Sequence, residues 1–402
     1  MGEIDFTRVL THLIAGELSR LRHTHALAGP LALITGATTL DEQGLGVDSL
    51  ELLALAGAVN EMFHLHETSV EEYLLHRRTV VAWAEVVSAS WAKASGRITF
   101  RTAGSTGNPK ACCHASAALW EEAQGHAAHF KSITRILSFV PAHHIYGFIF
   151  TVLLPKCLQA EVIDCRLWPI SKLNRELRSN DLIVAVPTLW EYISQSLPSF
   201  RIPLQGVTST APLPTPLADR LAAQGLTLTE IYGSSETAGI ARRVRAQSAF
   251  ELLAWWERSG STIKRRETFA STHAVTAPLS PVIIPDRIQW LSDREFTLGG
   301  RLDGAVQVGG TNVFPERIAA RIKSHPAIAD CAVRLMSSHE GNRLKAFVVW
   351  KNGVQSSPPS GAFESWLRSE FSAAERPTSV TTGLALPRNE FGKLADWSVV
   401  TA

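Results

Sequence analysis

Arg101-Thr102-Ala103-Gly104-Ser105-Thr106-Gly107-Asn108-Pro109-Lys110 gathers glycines around two hydroxyls, Ser105 and Thr106, and closes on a lysine. Gly104 and Gly107 permit positive φ and close approach, so amide N–H groups can converge on an anion while Ser105, Thr106 and Lys110 add donors and charge. The spacing GxxxxGK[ST] of the other common phosphate loop is absent. A Gly/Ser/Thr/Pro cluster is also an ordinary turn, so the meaning of this one rests on its surroundings. Just before it, Arg97-Ile98-Thr99-Phe100 reads as a short strand feeding the loop.

Working outward, residues 97 to 300 alternate short apolar strands with helical stretches. Strands are expected over 136–140, 160–163, 182–186 and 206–209, and helices over 115–129, 172–178 and 216–224. That alternation predicts an α/β domain with ligands at the strand ends. The stretch 245–280 reads as a helix around Trp255 and Trp256 followed by a surface loop. A further unit over 302–402 holds a helix from Pro315 to Lys323 and strands over 331–335 and 344–350. Residues 1–93 form a small helical unit: Phe6, Val9, Leu10, Leu13 and Ile14 recur at helical spacing, a second helix opens at Asp48-Ser49, and a third runs from Val80 through Val87.

Downstream of the glycine loop come Pro141-Ala142-His143-His144-Ile145-Tyr146-Gly147, then Tyr232-Gly233-Ser234-Ser235-Glu236-Thr237. Gly300-Arg301-Leu302-Asp303 and Val313-Phe314-Pro315-Glu316 follow, and near the end Pro387-Arg388 precedes Gly392-Lys393. In this order the blocks resemble the adenylate-forming superfamily of acyl-CoA synthetases, peptide-synthetase adenylation domains and luciferases, over about residue 97 to the C-terminus. The resemblance implies an adenylation core over 97–301 with mixed sheets, shortened at its start, and a small mobile α+β lid domain over 302–402. It implies ATP and Mg²⁺ as cofactors, with Ser105, Thr106, Gly107 and Lys110 on the β- and γ-phosphates. Glu236 matches the magnesium-linked acid, and one carboxylate with phosphate oxygens and water is ordinary Mg²⁺ coordination. Tyr232 and Gly233 would lie at the adenine, and Ser234 and Ser235 near the reacting carboxylate or phosphate. Asp286, fifteen residues before Arg301, matches the ribose-binding acid, although Ile284-Pro285 replaces the usual Thr-Gly before it. Arg301 would contact ribose or α-phosphate, and Asp303 matches the hinge. Lys393 matches the lysine that bridges the carboxylate and the α-phosphate. His144 matches the gate between acyl pocket and thiol tunnel, and Ser209, Thr210 and Ala211 match the pocket-lining loop. Gln307 stands where relatives often have lysine.

Leu45-Gly46-Val47-Asp48-Ser49-Leu50, followed by an amphipathic helix ending in Met62-Phe63, resembles an acyl carrier protein. In that family the serine of Asp-Ser-Leu bears phosphopantetheine. Read locally, Asp48-Ser49 is a helix-capping signal. The carrier reading makes 1–93 an N-terminal acyl-carrier-like bundle, Ser49 its attachment site, and a phosphopantetheinyl transferase a partner.

Composition narrows the remaining classes. The chain has 402 residues, 45% of them hydrophobic, with a formal charge of +2. No field of one sign points to nucleic acid or an anionic membrane. The apolar run from Ile145 to Leu154 is too short to span a bilayer. Five cysteines without CxxC spacing suggest neither a disulfide framework nor a zinc site, and a cytoplasmic location is expected. The resulting expectation is an ATP-dependent ligase that forms an acyl-AMP from a small carboxylic acid, such as a hydroxybenzoate, and then a thioester. The acceptor thiol is that of its own carrier domain or a partner acyl carrier protein, with free coenzyme A as the alternative. A non-catalytic docking protein with a degenerate adenylation domain is the rival class, and the short core leaves room for a homodimer.

Overall fold

The computed structural model describes residues 4–22, 33–93, 96–101, 110–244, 248–266, 282, 284, 286–302, 304–337, 340–351, 361–388 and 394–399. Contacts divide the chain into two compact units. The first comprises Met1–Thr102, Ala111–Ile284 and Trp290–Thr297; the second comprises Ala103–Lys110, Pro285–Gln289 and Leu298–Ala402.

A nine-stranded sheet runs in the order Asp286–Trp290, Glu295–Arg301, Phe250–Leu252, Ala238–Arg243, Leu226–Ser234, Leu204–Thr208, Asp181–Ala185, Arg135–Ser138 and Glu161–Asp164. The last five of these are mutually parallel. Strands of a parallel sheet are covered on both faces, which explains why Asp181–Ala185 is buried at every position. Asp181 itself is buried with Arg135, whose Nε and Nη2 each donate to its carboxylate at 2.7 Å. Arg97–Arg101 and Ala111–Ala115 form a separate antiparallel hairpin in which Arg101 faces Ala111, so the glycine segment connects two paired strands.

The helices Thr7–Leu21, Ser49–Phe63 and Val80–Trp91 form as their apolar periodicity predicts. They do not make a bundle of their own. Phe6 meets Phe63 and Trp91 edge-on at 5.2 and 5.5 Å, and the same hydrophobic core runs on through Ile98, Phe100, Leu119, Ile136 and Phe148. A separate carrier-like unit over 1–93 finds no support here: these residues fall in the first compact unit together with the parallel sheet. Helical spacing shows that a helix has an apolar face, and it is silent on what that face covers.

Trp255 and Trp256 are not helical either. Trp256–Ser259 pairs with Thr262–Arg265 as a hairpin turning at Gly260, whose φ is +60°, and the Trp256 indole N–H donates to the Gly239 carbonyl at 2.7 Å. In the second unit Ile328–Leu335, Leu344–Trp350 and Ser379–Gly383 form a three-stranded sheet. Helices Pro315–Lys323 and Gly361–Glu370 supply Ile318, Ile322, Phe363 and Leu367 to its core. Among the described residues no helix is long and apolar enough to cross a membrane.

Candidate active site

The carboxyl ends of the parallel strands in the first unit collect the central residues of the expected site. Ser138 leads into Pro141–His144, Thr208 into Ser209–Ala211, and Leu226–Ser234 into Ser235 and Glu236. Open α/β sheets bind ligands at this edge. Three hydrogen bonds lace it together. The Tyr146 hydroxyl, buried, is shared between the carbonyls of Ala185 at 3.1 Å and Val207 at 2.9 Å, and the Ser209 hydroxyl donates to the Ile231 carbonyl at 3.0 Å. Thr210 has a φ of +78°, which a β-branched residue adopts only where the surroundings impose it, and such strain clusters at ligand sites.

The Tyr232–Thr237 turn is built from its own hydroxyls. Thr237 Oγ1 donates to the Ala238 carbonyl at 2.9 Å and accepts from the Ser234 N–H at 3.1 Å. With its proton spent there, Ser234 Oγ must donate to it at 3.1 Å, and Ser234 Oγ in turn accepts the Glu236 N–H at 3.2 Å. His114 Nε2 lies 2.7 Å from the Ser235 carbonyl; a carbonyl only accepts, so this nitrogen carries the proton. Ser234 and Ser235 are half-buried and Glu236 is exposed at the turn. An exposed carboxylate held at the strand ends fits a Mg²⁺ shared with phosphate oxygens and water. Tyr232 packs against the stacked pair Phe250 and Phe296, at 5.7 and 6.0 Å.

Behind this edge lie groups that no motif indicated. The Glu122 carboxylate, 1% exposed, receives the Gly239 N–H with both oxygens at 3.1 Å, and His126 Nε2 lies 3.4 Å away. Glu230 accepts the Leu213 N–H at 3.2 Å and Arg243 Nε at 2.7 Å, tying the Ser209–Ala211 loop to the neighbouring strand. Burial pushes the Glu230 carboxyl up, with Arg243 opposing. Only the alternation Leu226-Thr227-Leu228-Thr229-Glu230-Ile231, with a lone acid inside the strand, could have signalled it.

His144 is exposed and stacks against His143, ring centroids 4.2 Å apart. It precedes the helix Ile145–Phe148, and Gly147 is required there because a Cβ would lie 2.0 Å from the Pro141 carbonyl oxygen. The segment is braced by the first helix: Ala142 N–H donates to His12 Nδ1 at 2.8 Å, and His12 Nε2 donates to Asp164 Oδ2 at 2.8 Å. Burial raises the Asp164 carboxyl, but hydrogen bonds from His12 and Arg166 outweigh it and hold it below the usual carboxylate range. Burial lowers the His12 pKa from 6.5 to about 4, the Asp164 bond opposing and nearby Arg166 and Arg8 adding to the fall. The unfolded chain thus protonates His12 below pH 6.5 and the folded chain only near 4. Between those values the unfolded state binds more protons, so stability falls as the pH falls. His12→Asn is expected to flatten the acid side of the melting-temperature profile between these limits; a profile as steep as that of the wild type would refute the neutral, buried imidazole.

In the second unit Asp286 opens the strand Asp286–Trp290 and Arg301 ends the strand Glu295–Arg301. These strands are neighbours and turn where the Leu291 N–H meets the Glu295 carbonyl at 2.9 Å, so both residues stand at the open end of one hairpin. Lys110 is exposed. Ser105, Thr106, Gly107, Asp303 and Lys393 lie outside the described residues. The residues flanking that last segment are described: Arg388 bridges Leu394, Ala395 N–H donates to the Pro387 carbonyl at 2.9 Å, and Arg334 Nη2 donates to the Leu394 carbonyl at 2.7 Å. Lys345, 2% exposed, donates to the Trp397 carbonyl at 2.7 Å and to Glu340 at 3.0 Å.

The fold is shared with solved ligases. The chain superposes on o-succinylbenzoate CoA synthetase from Bacillus subtilis with a TM-score of 0.59, at 16% identity over 96% of this chain and 91% of that one. The amide bond synthetase McbA from Marinactinospora thermotolerans gives 0.58, at 16% identity over 96% and 92%. The AMP-binding enzyme model matches residues 17–262, and the model of the AMP-binding enzyme C-terminal domain matches 317–393. The chain belongs to the AMP-binding enzyme family, and its class is that of the AMP-forming acid–thiol ligases. Among its relatives, a 4-coumarate–CoA ligase from Halorhodospira halophila is 37% identical over 97% of this chain and 98% of that protein. A 4-coumarate–CoA ligase from Rhodobacter capsulatus is 35% identical over 97% and 99%.

These matches redirect the expected thiol. Ser49 lies inside the stretch matched to the AMP-binding enzyme model, and the relatives are named CoA ligases. Neither phosphopantetheine on Ser49 nor carrier and transferase partners find support. Asp48 accepts the Glu51 N–H at 2.8 Å and Glu51 reaches back to the Asp48 N–H at 3.4 Å, a capping box that accounts for the local sequence.

Proposed function

We propose that this protein joins a 4-coumarate-type hydroxyaryl acid to coenzyme A, with cleavage of ATP to AMP and pyrophosphate. The acid carboxylate attacks the α-phosphorus and pyrophosphate leaves; the coenzyme A thiol then gives up its proton, attacks the acyl carbonyl and displaces AMP. The observation that carries the reading is the match to the Halorhodospira 4-coumarate–CoA ligase over nearly the whole of both chains.

In this reading Ser105, Thr106, Gly107 and Lys110 hold the outer phosphates, and Asp286 and Arg301 hold the ribose side. Glu236 would hold a Mg²⁺, which when bound would supply charge to offset that of the departing pyrophosphate. Lys393 stabilises the charge that builds between carboxylate and α-phosphate, and Asp303 is the hinge for the second step. His144 and Ser209–Ala211 border the acid, where its aryl group would meet Thr210 and the strand ends.

The test offers purified protein ATP, Mg²⁺ and a panel of 4-coumarate, 4-hydroxybenzoate, benzoate and octanoate, with coenzyme A or a holo acyl carrier protein as acceptor. Thioester formation on coenzyme A is expected, with kcat/KM for 4-coumarate at least about tenfold above the others. Preference for octanoate, or transfer only to the carrier protein, would overturn the substrate or acceptor. Absence of acid-dependent ATP–pyrophosphate exchange from folded protein would overturn the reaction itself.

A further inference from the structure

The first helix places Arg8, His12 and Gly16 four residues apart on one face, and all three meet the segment Ala142–Thr151. Arg8 Nη1 donates to Thr151 Oγ1 at 3.0 Å, and Thr151 Oγ1 donates to the Gly147 carbonyl at 2.7 Å. His12 takes the Ala142 N–H. At Gly16 the backbone faces the His143 ring so closely that a Cβ would lie 3.2 Å from Nε2. Asp164, the residue that orients His12, is the last of its strand and lies across from Ser138, the residue from which the His143–His144 turn departs. Arg166 fixes the Asp164 carboxylate, donating from its backbone N–H at 3.1 Å, from Nε at 3.0 and 3.1 Å and from Nη2 at 2.7 Å. A backbone N–H in the middle of a buried turn is thus received by a side chain 130 residues away, and that side chain is aimed by a carboxylate that is itself held.

We infer that His12, oriented by Asp164, is a positioning residue for the acid site: it holds the Ala142 amide and thereby the turn that presents His144 at the strand ends. The inference rests on the ligase reading for its consequence and on geometry alone for the positioning. The Ala142 N–H occupies Nδ1, so His12 acts as an acceptor on one nitrogen and a donor on the other. It transfers no proton to substrate. Displacing a site segment by about 1 Å is enough to cost up to about a hundredfold in rate.

The experiment compares wild type with His12→Leu, which fits the apolar surroundings but accepts nothing, and His12→Asn, whose Oδ1 stands near the Nδ1 position and can still accept the Ala142 N–H. Hydrogen–deuterium exchange of the 139–148 segment and steady-state kinetics with 4-coumarate, ATP and coenzyme A are measured well below each melting midpoint. In His12→Leu, exchange at Ala142–Ile145 is expected to quicken at least about tenfold. The KM for the acid should rise or kcat fall by at least about tenfold, with the KM for ATP within about twofold. His12→Asn should recover most of both. Unchanged exchange in His12→Leu overturns the positioning. So does an equal loss in the acid and ATP parameters that Asn fails to rescue, since that is the mark of general structural damage. If the wild type activates no acid, the ligase reading fails, and the exchange measurement still decides whether His12 holds the turn.

Discussion

Lys393→Ala is expected to lower acid-dependent ATP–pyrophosphate exchange by about 10²–10³, with nucleotide affinity changed less than about threefold. Bringing a carboxylate to the α-phosphate of ATP collects negative charge that is largest in the transition state, and a cation at that point acts on the barrier more than on binding. On either side of Gly392-Lys393 the described chain is held: Arg388 bridges Leu394, and Arg334 and the buried Lys345 donate to the Leu394 and Trp397 carbonyls. Exchange in Lys393→Ala equal to that of the wild type, with the variant folded, would refute the assignment; a matching loss of nucleotide affinity would make it a binding residue.

Gly233→Ala is expected to cost about 3 kcal/mol of stability and to disable the Tyr232–Glu236 turn. A Cβ at Gly233 would lie 2.0 Å from the Ala238 carbonyl oxygen and 3.0 Å from the Gly239 Cα. Both are backbone atoms of the paired strand, so no side-chain rotation relieves the clash. The pairing shifts by a residue between Tyr232 and Gly233, and the antiparallel strands come so close there that only glycine fits. Pushing them apart would also pull Gly239 from the Glu122 carboxylate and loosen the hydroxyl network that sets Glu236. Gly57→Ala is the matched control: it lies mid-helix in Ser49–Phe63 with open space around its Cβ, where alanine should gain about 0.5–1 kcal/mol. Urea unfolding of both variants, with pyrophosphate exchange on the folded fraction, makes the comparison. A loss below about 1 kcal/mol in Gly233→Ala would show that the turn can open without cost.

The contrast between Asp48-Ser49 and His12 shows what is legible in the chain. Asp48-Ser49-Leu50 carries a local signal, and the signal is real: a capped helix begins there. Its functional meaning is not legible, because a capping box and a carrier attachment site share the same few residues. His12 carries no signal at all. It is one polar residue in an apolar stripe, and its partners, Ala142 and Asp164, are more than a hundred residues away. Glu122 and Lys345 are invisible for the same reason, each an ordinary charged residue in sequence that folding buries beside its partners. The Trp255-Trp256 pair reads as helix from its apolar neighbours, whereas the Gly260 turn and the bond to the Gly239 carbonyl set it in a hairpin.

What the sequence determined by itself was the class of chemistry. Ordered blocks of glycines, hydroxyls, acids and lysines state which groups a reaction of ATP with a carboxylate needs, because those groups meet the substrate through residue type and local turn geometry. The strands Arg135–Ser138, Glu161–Asp164, Asp181–Ala185 and Leu204–Thr208 and helices such as Ser116–His129 and Pro315–Lys323 were legible likewise, since periodicity of 2 or 3.6 is a local property. Only the tertiary structure decided that the N-terminal helices are part of the catalytic body. An amphipathic helix buries its face against whatever apolar surface folding brings to it. Here that surface is the core shared with the parallel sheet, and the side of the helix bearing Arg8, His12 and Gly16 rests on the turn that carries His144.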